Sequence, residues 1–361
     1  MFRFISRIFG GASAVQTNTN ASTAPASPTS AAPAGAPAAG TPTVVVRATS
    51  SWIDRDEVGE WIPQDAGYWL KRTAYVIGRL RKDWEEEPDA HKWPNVVDVL
   101  DLLAGAPEEI IRQLPAAARD AMALCDKPGI RRSELGDHLS RDPSLVQGLL
   151  RQANGAFYGS GLAPILRVDS AIDRIGVAGT RGVVMASCIE GLLSKPGGAY
   201  DVMLASVWGH MVNCGPLARA LARSLGADPE EAFCIALLHD VGKLVFFDRI
   251  SSLRTSRRKA VALPDAWLSL ALEQLHEPLG AIAAHRWGLG ARAADAIGAH
   301  HRRQRPALRH PLAETLFLAE RAEHASRNRT VLDYEGLASL GQLPGDPMRF
   351  DDILGRHLHA A

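Results

Sequence analysis

From residue 107 to about residue 325 the chain reads as one helical segment after another, with nothing that reads as a hairpin. That run limits the fold more than any other feature. Asp142-Pro143 supplies an N-cap and a first-position proline ahead of SLVQGLLRQA, and Asp228-Pro229 does the same ahead of EEAFCIALLHDVGKLVFF. Asp169 is placed to cap SAIDRIG, which Gly176 ends. GVVMASCIEGLL and WGHMVNCGPLARALARSL are apolar with few charges, as buried helices are. Pro216 is expected to bend or interrupt the second of these. No Asn-Gly or Asp-Gly joins two alternating runs, and no segment recurs at a solenoid period. The expected class is all-α.

The first 106 residues are of two kinds. Residues 1–49 carry only Arg3, Arg7 and Arg47 as charges and are otherwise rich in Ala, Pro, Ser, Thr and Gly. Such a stretch has too little apolar bulk to offset the entropy of ordering, so it reads as a disordered tail. Within it, Phe2, Ile5 and Phe9 recur at helical spacing between Arg3 and Arg7. A peripheral membrane contact through residues 1–9 is the alternative to a free tail end. A secretory signal is disfavoured because Arg7 interrupts its would-be apolar core. Residues 50–106 hold Trp52, Trp61, Trp69, Trp84 and Trp93, five of the eight tryptophans. LKRTAYVIGRLRKDW reads as a helix with Leu70, Ala74, Ile77 and Leu80 on one side, and NVVDVLDLL as another. The rings are expected to dock this helical extension onto its neighbour; a ligand cage or partner surface is their other use. Residues 326–361 are expected to form a C-terminal helical tail.

Charge excludes several functions. Among 361 residues, 40 Lys and Arg balance 40 Asp and Glu. A general nucleic-acid coat needs excess positive charge to displace counterions, so nucleic acid is disfavoured as a partner. The basic clusters RTSRRK (254–259) and HRRQR (301–305) read first as solvated loops, with attraction of a phosphate as their alternative use. No apolar run approaches the ~20 residues of a membrane-spanning helix. Cys125, Cys188, Cys214 and Cys234 form no CxxC pair. That excludes a disulfide scaffold or zinc ribbon and suits a reducing, cytoplasmic setting.

Two pairs among the twelve histidines stand out. His239 and Asp240 are adjacent in LLHDVGK, and His300 and His301 are adjacent in AIGAHH. Buried imidazole and carboxylate groups are costly to desolvate without partners. Read as one helix, the first segment projects His239 and Asp240 about 100° apart, within reach of one ion. Lys243 lies on the same side, where an ammonium beside a metal can hold a phosphate. His210, His276 and Glu320 lie in other helical segments. Mixed nitrogen and oxygen donors suit Fe, Mn, Zn or Ni better than Ca or Mg.

At this point the chain resembles a known family. The order H…HD…H…HH…[D/E] is similar to the metal-binding order of the HD phosphohydrolase superfamily. LRQANGAFYG, with SRDPSLVQGLL before it and VDSAIDRIGVAGTRGVV after it, resembles the HDOD domain of bacterial signalling proteins. EEAFCIALLHDVGKLV and the Trp287–Leu289 stretch leading into AIGAHH extend the resemblance over roughly residues 107–325. It implies a two-lobed helical domain, with an N-terminal lobe at 107–196 and an HD-like lobe at 200–325. Carried over residue by residue, it implies His210, His239, Asp240, His276, His300 and His301 as ligands of one or two ions. Glu320 stands where an Asp is usual. Lys243 matches the lysine of HDxGK in the cyclic-dinucleotide phosphodiesterases called HD-GYP, and is the candidate phosphate contact. RRQRPALR follows His301 without the Gly-Tyr-Pro of those enzymes.

Two functions share these residues. In the first the chain is a bacterial regulatory module that acts through a signalling protein partner or a small phosphorylated ligand, with a retained metal site. In the second it is a metal-dependent phosphohydrolase. The missing Gly-Tyr-Pro and the Glu320 substitution favour the first, with no catalytic residue assigned.

Overall fold

A computed structural model of the chain describes residues 59–60, 63–159, 161–193, 200–301 and 308–330. The expectations for residues 1–49, Trp52, Trp61, the 302–305 arginines and the 331–361 tail lie outside the described residues. What is described is all-α. The extension contributes α1 (Ala66–Glu85), a 3-10 turn (Ala90–Lys92) and α2 (Asn95–Leu103). The next group comprises α3 (Pro107–Ile110), α4 (Ala116–Cys125), α5 (Arg132–Leu139), α6 (Pro143–Asn154), α7 (Ala156–Gly159), α8 (Val168–Ile175) and α9 (Val177–Leu193). The last comprises α10 (Asp201–Leu225), α11 (Pro229–Ala236), α12 (Val241–Arg257), α13 (Asp265–Arg286), α14 (Ala291–Gly298) and α15 (Pro311–Asn328). The two-residue strands β1 (Gly59–Glu60) and β2 (Leu308–Arg309) pair in parallel, Gly59 opposite Leu308. The sequence carries no signal for a ladder this short, because the pairing is made by backbone alone.

The capping residues act as their chemistry predicts. Asp142 Oδ1 accepts from the Ser144 and Leu145 amides at 2.8 and 3.3 Å, and Asp228 Oδ1 from those of Glu230 and Glu231 at 3.0 and 2.8 Å. These bonds satisfy amides that a helix start leaves without partners. Gly176 ends α8 at φ 83°, a left-handed position that costs glycine little. Asp169 does not cap that helix. Arg167 is the cap residue and Asp169 lies in the first turn, where its charge still suits the helix dipole.

A single apolar core runs from Trp69 to Ala322 through all three groups. In α1 the buried stripe is Trp69, Thr73, Ile77, Leu80 and Trp84. It is therefore rotated from the expected Leu70–Ala74–Ile77–Leu80 face, and Ala74 is exposed. The rings decide the rotation, since a tryptophan buries far more area than an alanine. Trp69 donates from Nε1 to Asp295 Oδ1 at 3.0 Å on α14, and the Gln64 amide donates to Asp295 Oδ2 at 2.8 Å. α1 packs on α13, and α10 lies between α11 and α15.

Two helix boundaries differ from the sequence reading. α10 continues through Pro216 without interruption; the buried residues around it, Cys214, Gly215, Leu217 and Ala218, hold the helix against α11 and α15. EEAFCIALLHDVGKLVFF is not one helix. α11 stops at Ala236, residues 237–240 form a turn, and α12 starts at Val241. The His239 ring takes the Ala236 carbonyl at 2.8 Å, the acceptor that a continuing helix would give to the Asp240 amide.

Candidate metal centre

The turn at 237–240 sets His239 and Asp240 facing one point between helices. Asp240 is fully buried, and His210, His239, His276 and His300 are each at most 2% exposed. His210 reaches in from the middle of α10, His276 from α13, and His300 and His301 from the end of α14. Asp240 Oδ2 lies 3.8 Å from His210 Nε2 and 3.7 Å from His239 Nε2. Its other oxygen, Oδ1, lies 3.7 Å from the Nε2 atoms of both His276 and His300. Four of the other six proposed ligands thus face one carboxylate. His301 joins through His276, Nε2 to Nε2 at 2.8 Å. Glu320 on α15 meets His301 Nδ1 at 3.3 Å.

The ring orientations are set by the backbone. His239, His276 and His300 donate from Nδ1 to the carbonyls of Ala236, Leu272 and Ile297 at 2.8, 2.7 and 2.6 Å. His210 donates from Nδ1 to Glu323 Oε2 at 2.7 Å. In each neutral ring the Nε2 lone pair then points into the cluster. His210 and His239 Nε2 stand only 3.2 Å apart. Facing lone pairs repel unless a proton or a cation lies between them. Asp240 Oδ1 and His300 Nε2, both buried, have no hydrogen-bond partner among the described residues. Donor separations of 3.2–3.8 Å bracket the roughly 3.3–3.6 Å that bonds of about 2.0–2.2 Å give around a four-coordinate ion. Imidazole nitrogens oriented from behind, with a carboxylate between them, fit a divalent metal.

Charge in the cluster is strongly perturbed. Burial alone would raise the Asp240 carboxyl, but Lys243 and the histidines around it hold it well below the usual carboxylate range. Burial pushes His276 and His300 well below the usual imidazole value, and His239 below it too. His301 goes the other way: burial lowers it, but Glu320 and Glu277 outweigh that and raise it. Its side chain is 25% exposed, so it lies at the edge of the cluster. Lys243 is 3% exposed and donates to Asp240 Oδ2 at 2.6 Å. The candidate phosphate contact is therefore a buried partner of the central carboxylate.

Four neighbouring residues escape the sequence reading. Glu323 backs His210, and Glu277 accepts from the His301 amide at 3.0 Å. Cys214, one turn beyond His210, places Sγ 3.8 Å from His210 Nε2. The His324 ring stands 5.1 Å from the His210 ring, and burial lowers its pKa to about 4. The i, i+3 and i, i+4 spacing of Glu320, Glu323 and His324 in LFLAERAEHA was the signal that could have found two of them.

Comparison with known proteins agrees with this architecture. A curated relative from Treponema pallidum (strain Nichols), an uncharacterized protein, is 24% identical over 247 residues, which is 66% of this chain. The match spans 46% of that relative, about half its length. A solved structure from Shewanella amazonensis SB2B, described as a candidate metal-dependent phosphohydrolase, superposes with a TM-score of 0.55 at 14% identity. It covers 80% of this chain and 98% of its own. A second solved structure from the same organism, described as a candidate phosphohydrolase, has a TM-score of 0.52 at 21% identity over 69% of this chain and 93% of its own. At these identities the likeness is one of fold. The HDOD domain model matches residues 111–303, the span that builds the helices from α4 to α14 and carries every histidine facing Asp240. By that match over more than half its length, the chain belongs to the HDOD domain family.

Proposed function

We propose that this chain is a regulatory HDOD module whose core holds a divalent metal, and that it acts through a signalling partner or a small phosphorylated ligand. One observation carries the reading. Four imidazole Nε2 atoms stand 3.7–3.8 Å from the two oxygens of one buried carboxylate, with their lone pairs turned inward. The metal would be held by His210 and His239 at Asp240 Oδ2 and by His276 and His300 at Oδ1, with His301 beside His276 and Glu320 behind it. Fe, Mn, Zn or Ni suits this donor set. We read residues 107–196 and 200–325 as the two lobes of the module. Lys243 and Glu323 are positioning residues in this reading: Lys243 fixes Asp240, and Glu323 fixes the His210 tautomer. The deep burial of the donors favours a regulatory over a catalytic centre, because a substrate must reach the ion it uses. Among the described residues no helix is long and apolar enough to cross a membrane.

A second reading, metal-dependent phosphoester hydrolysis, is favoured by His301. That ring is partly exposed, joins the cluster at Nε2 and is backed by Glu320, as a proton carrier at the edge of a metal site would be. A bound divalent ion supplies Lewis acidity toward a phosphoryl oxygen. Metal analysis and a hydrolysis screen on nucleotides and cyclic dinucleotides separate the readings. A regulatory module contains metal that His239→Ala and Asp240→Ala both remove, with no turnover above a metal-only control. Metal-dependent turnover that both variants abolish replaces the first reading with the second, and a metal-free protein after loading with Mn, Fe, Zn and Ni rejects both.

A further inference from the structure

A cleft of about 410 Å³ opens where the extension meets the N-terminal end of α13, and no histidine of the cluster lines it. Its apolar walls are Trp84, Trp93 and Trp267, with Trp84 and Trp267 packed edge to face at 6.3 Å between ring centroids. Its polar residues are all acidic: Asp83, Glu87 and Asp89. Lys92 pairs with Asp89 Oδ1 at 2.7 Å and offsets one of these charges, which leaves Asp83 and Glu87. The C-terminal end of α1 also lies at the cleft and adds the negative pole of a 20-residue helix. The N-terminus of α13 also lines the cleft, and Asp265 in its first turn offsets the positive pole there.

The indole faces, the carboxylates and the C-terminal end of α1 select the same chemistry. Indole faces carry negative potential and attract cations, more strongly where water is partly excluded. Carboxylates at the mouth add to that attraction, and an anion or a sugar phosphate would be repelled. A bare metal ion would find no converging oxygen cage among exposed, separated acids. A volume of this order fits a small molecule. We propose that this cleft binds a small organic cation, a substituted ammonium with an apolar body. Packing of the extension onto α13 builds its walls, so the tryptophans that fasten the extension also form the ligand surface. The assignment does not depend on the metal centre.

The test uses the full chain with ¹⁵N-labelled tryptophan, read by its indole N–H signals. Choline is titrated against its uncharged isostere 3,3-dimethylbutan-1-ol. Choline should shift the Trp84, Trp93 and Trp267 signals saturably in the millimolar range, with the isostere at least about tenfold weaker. Trp93→Ala, and Glu87→Gln with Asp89→Asn, should each weaken choline about fivefold or more without changing metal content. An equal response to the isostere, or no saturable shift, overturns the proposal. So does a shift produced only by an Arg- or Lys-containing peptide. If a variant fails to fold, the comparison of choline with its isostere on the wild-type chain decides alone.

Discussion

At the scale of single residues, Asp240 organises the centre and is also its most vulnerable point. Its Oδ2 accepts from Lys243, an ammonium only 3% exposed. Asp240→Asn leaves that buried charge without its carboxylate, and breaking such a pair costs about 3–5 kcal/mol. Adding Lys243→Met should recover part of the loss, which chemical denaturation of the two variants measures; an additive double variant contradicts the pairing. The imidazoles set the acid response. His239, His276 and His300 have folded values below 6.5, the ordinary imidazole value. In the unfolded chain they take up protons as the pH falls through 6.5, while the folded state resists. Stability from these rings is therefore complete above 6.5 and lost as the pH falls below it. His324, lowered to about 4, acts in the same direction down to that value. His301, raised by its carboxylates, opposes them, with stability present below 6.5 and lost as the pH rises through its folded value. Four rings outweigh one. Melts of metal-free protein should show a lower melting temperature at pH 5.5 than at pH 7.5, and a flat profile would contradict the burial of these rings as neutral groups. Bound metal should steepen the difference, because it needs the unprotonated rings.

At the scale of elements, the metal centre depends on how closely α12 crosses α13. A Cβ at Gly242 would meet the His276 carbonyl oxygen at 1.8 Å and the Gly280 nitrogen at 2.8 Å. Both are backbone atoms, which no rotamer change can move. Gly242→Ala should therefore push the helices apart, costing about 3 kcal/mol or more and moving His276 away from Asp240. Gly78 gives the contrast. It is exposed in the middle of α1, and a Cβ there would meet nothing within 4 Å. Gly78→Ala should stabilise by about 0.5–1 kcal/mol through helix propensity alone. Thermal melts and metal content of the two variants check both signs. The turn at 237–240 belongs to this scale as well. The LLHDVGK segment carries helical apolar character on both sides of the dyad, and the helix breaks where the His239 ring takes the Ala236 carbonyl.

At the scale of the whole molecule, the extension and the metal centre share α14. Trp69 caps the Asp295 carboxylate on that helix and lies against Gly298, where an added Cβ would stand 2.3 Å from the ring. His300 and His301 follow directly. Trp69→Ala removes a large buried ring and strips one donor from a fully buried carboxylate, so it should cost about 3–5 kcal/mol. Because α14 ends at the cluster, the same variant should also weaken metal binding, which chelator competition measures. Unchanged metal affinity at reduced stability would show that the extension only clamps. Deleting residues 1–49 should leave the melting temperature within a few degrees of the full chain.

The all-α class, the caps at Asp142 and Asp228, and the residues facing Asp240 could be read from the chain, since periodicity, capping chemistry and the H…HD…H…HH order are local or linear properties. Which lone pairs point inward could not be read, because that depends on the carbonyls of Ala236, Leu272 and Ile297 lying behind three rings. The same holds for Glu323 behind His210 and Asp295 under Trp69, partners 113 and 226 residues apart. Sequence by itself determined the helical class, the caps at Asp142 and Asp228 and the linear order of the donors. Only tertiary packing decided which buried groups meet, because a hydrogen bond or a ligand set is a relation between positions that chain order does not encode.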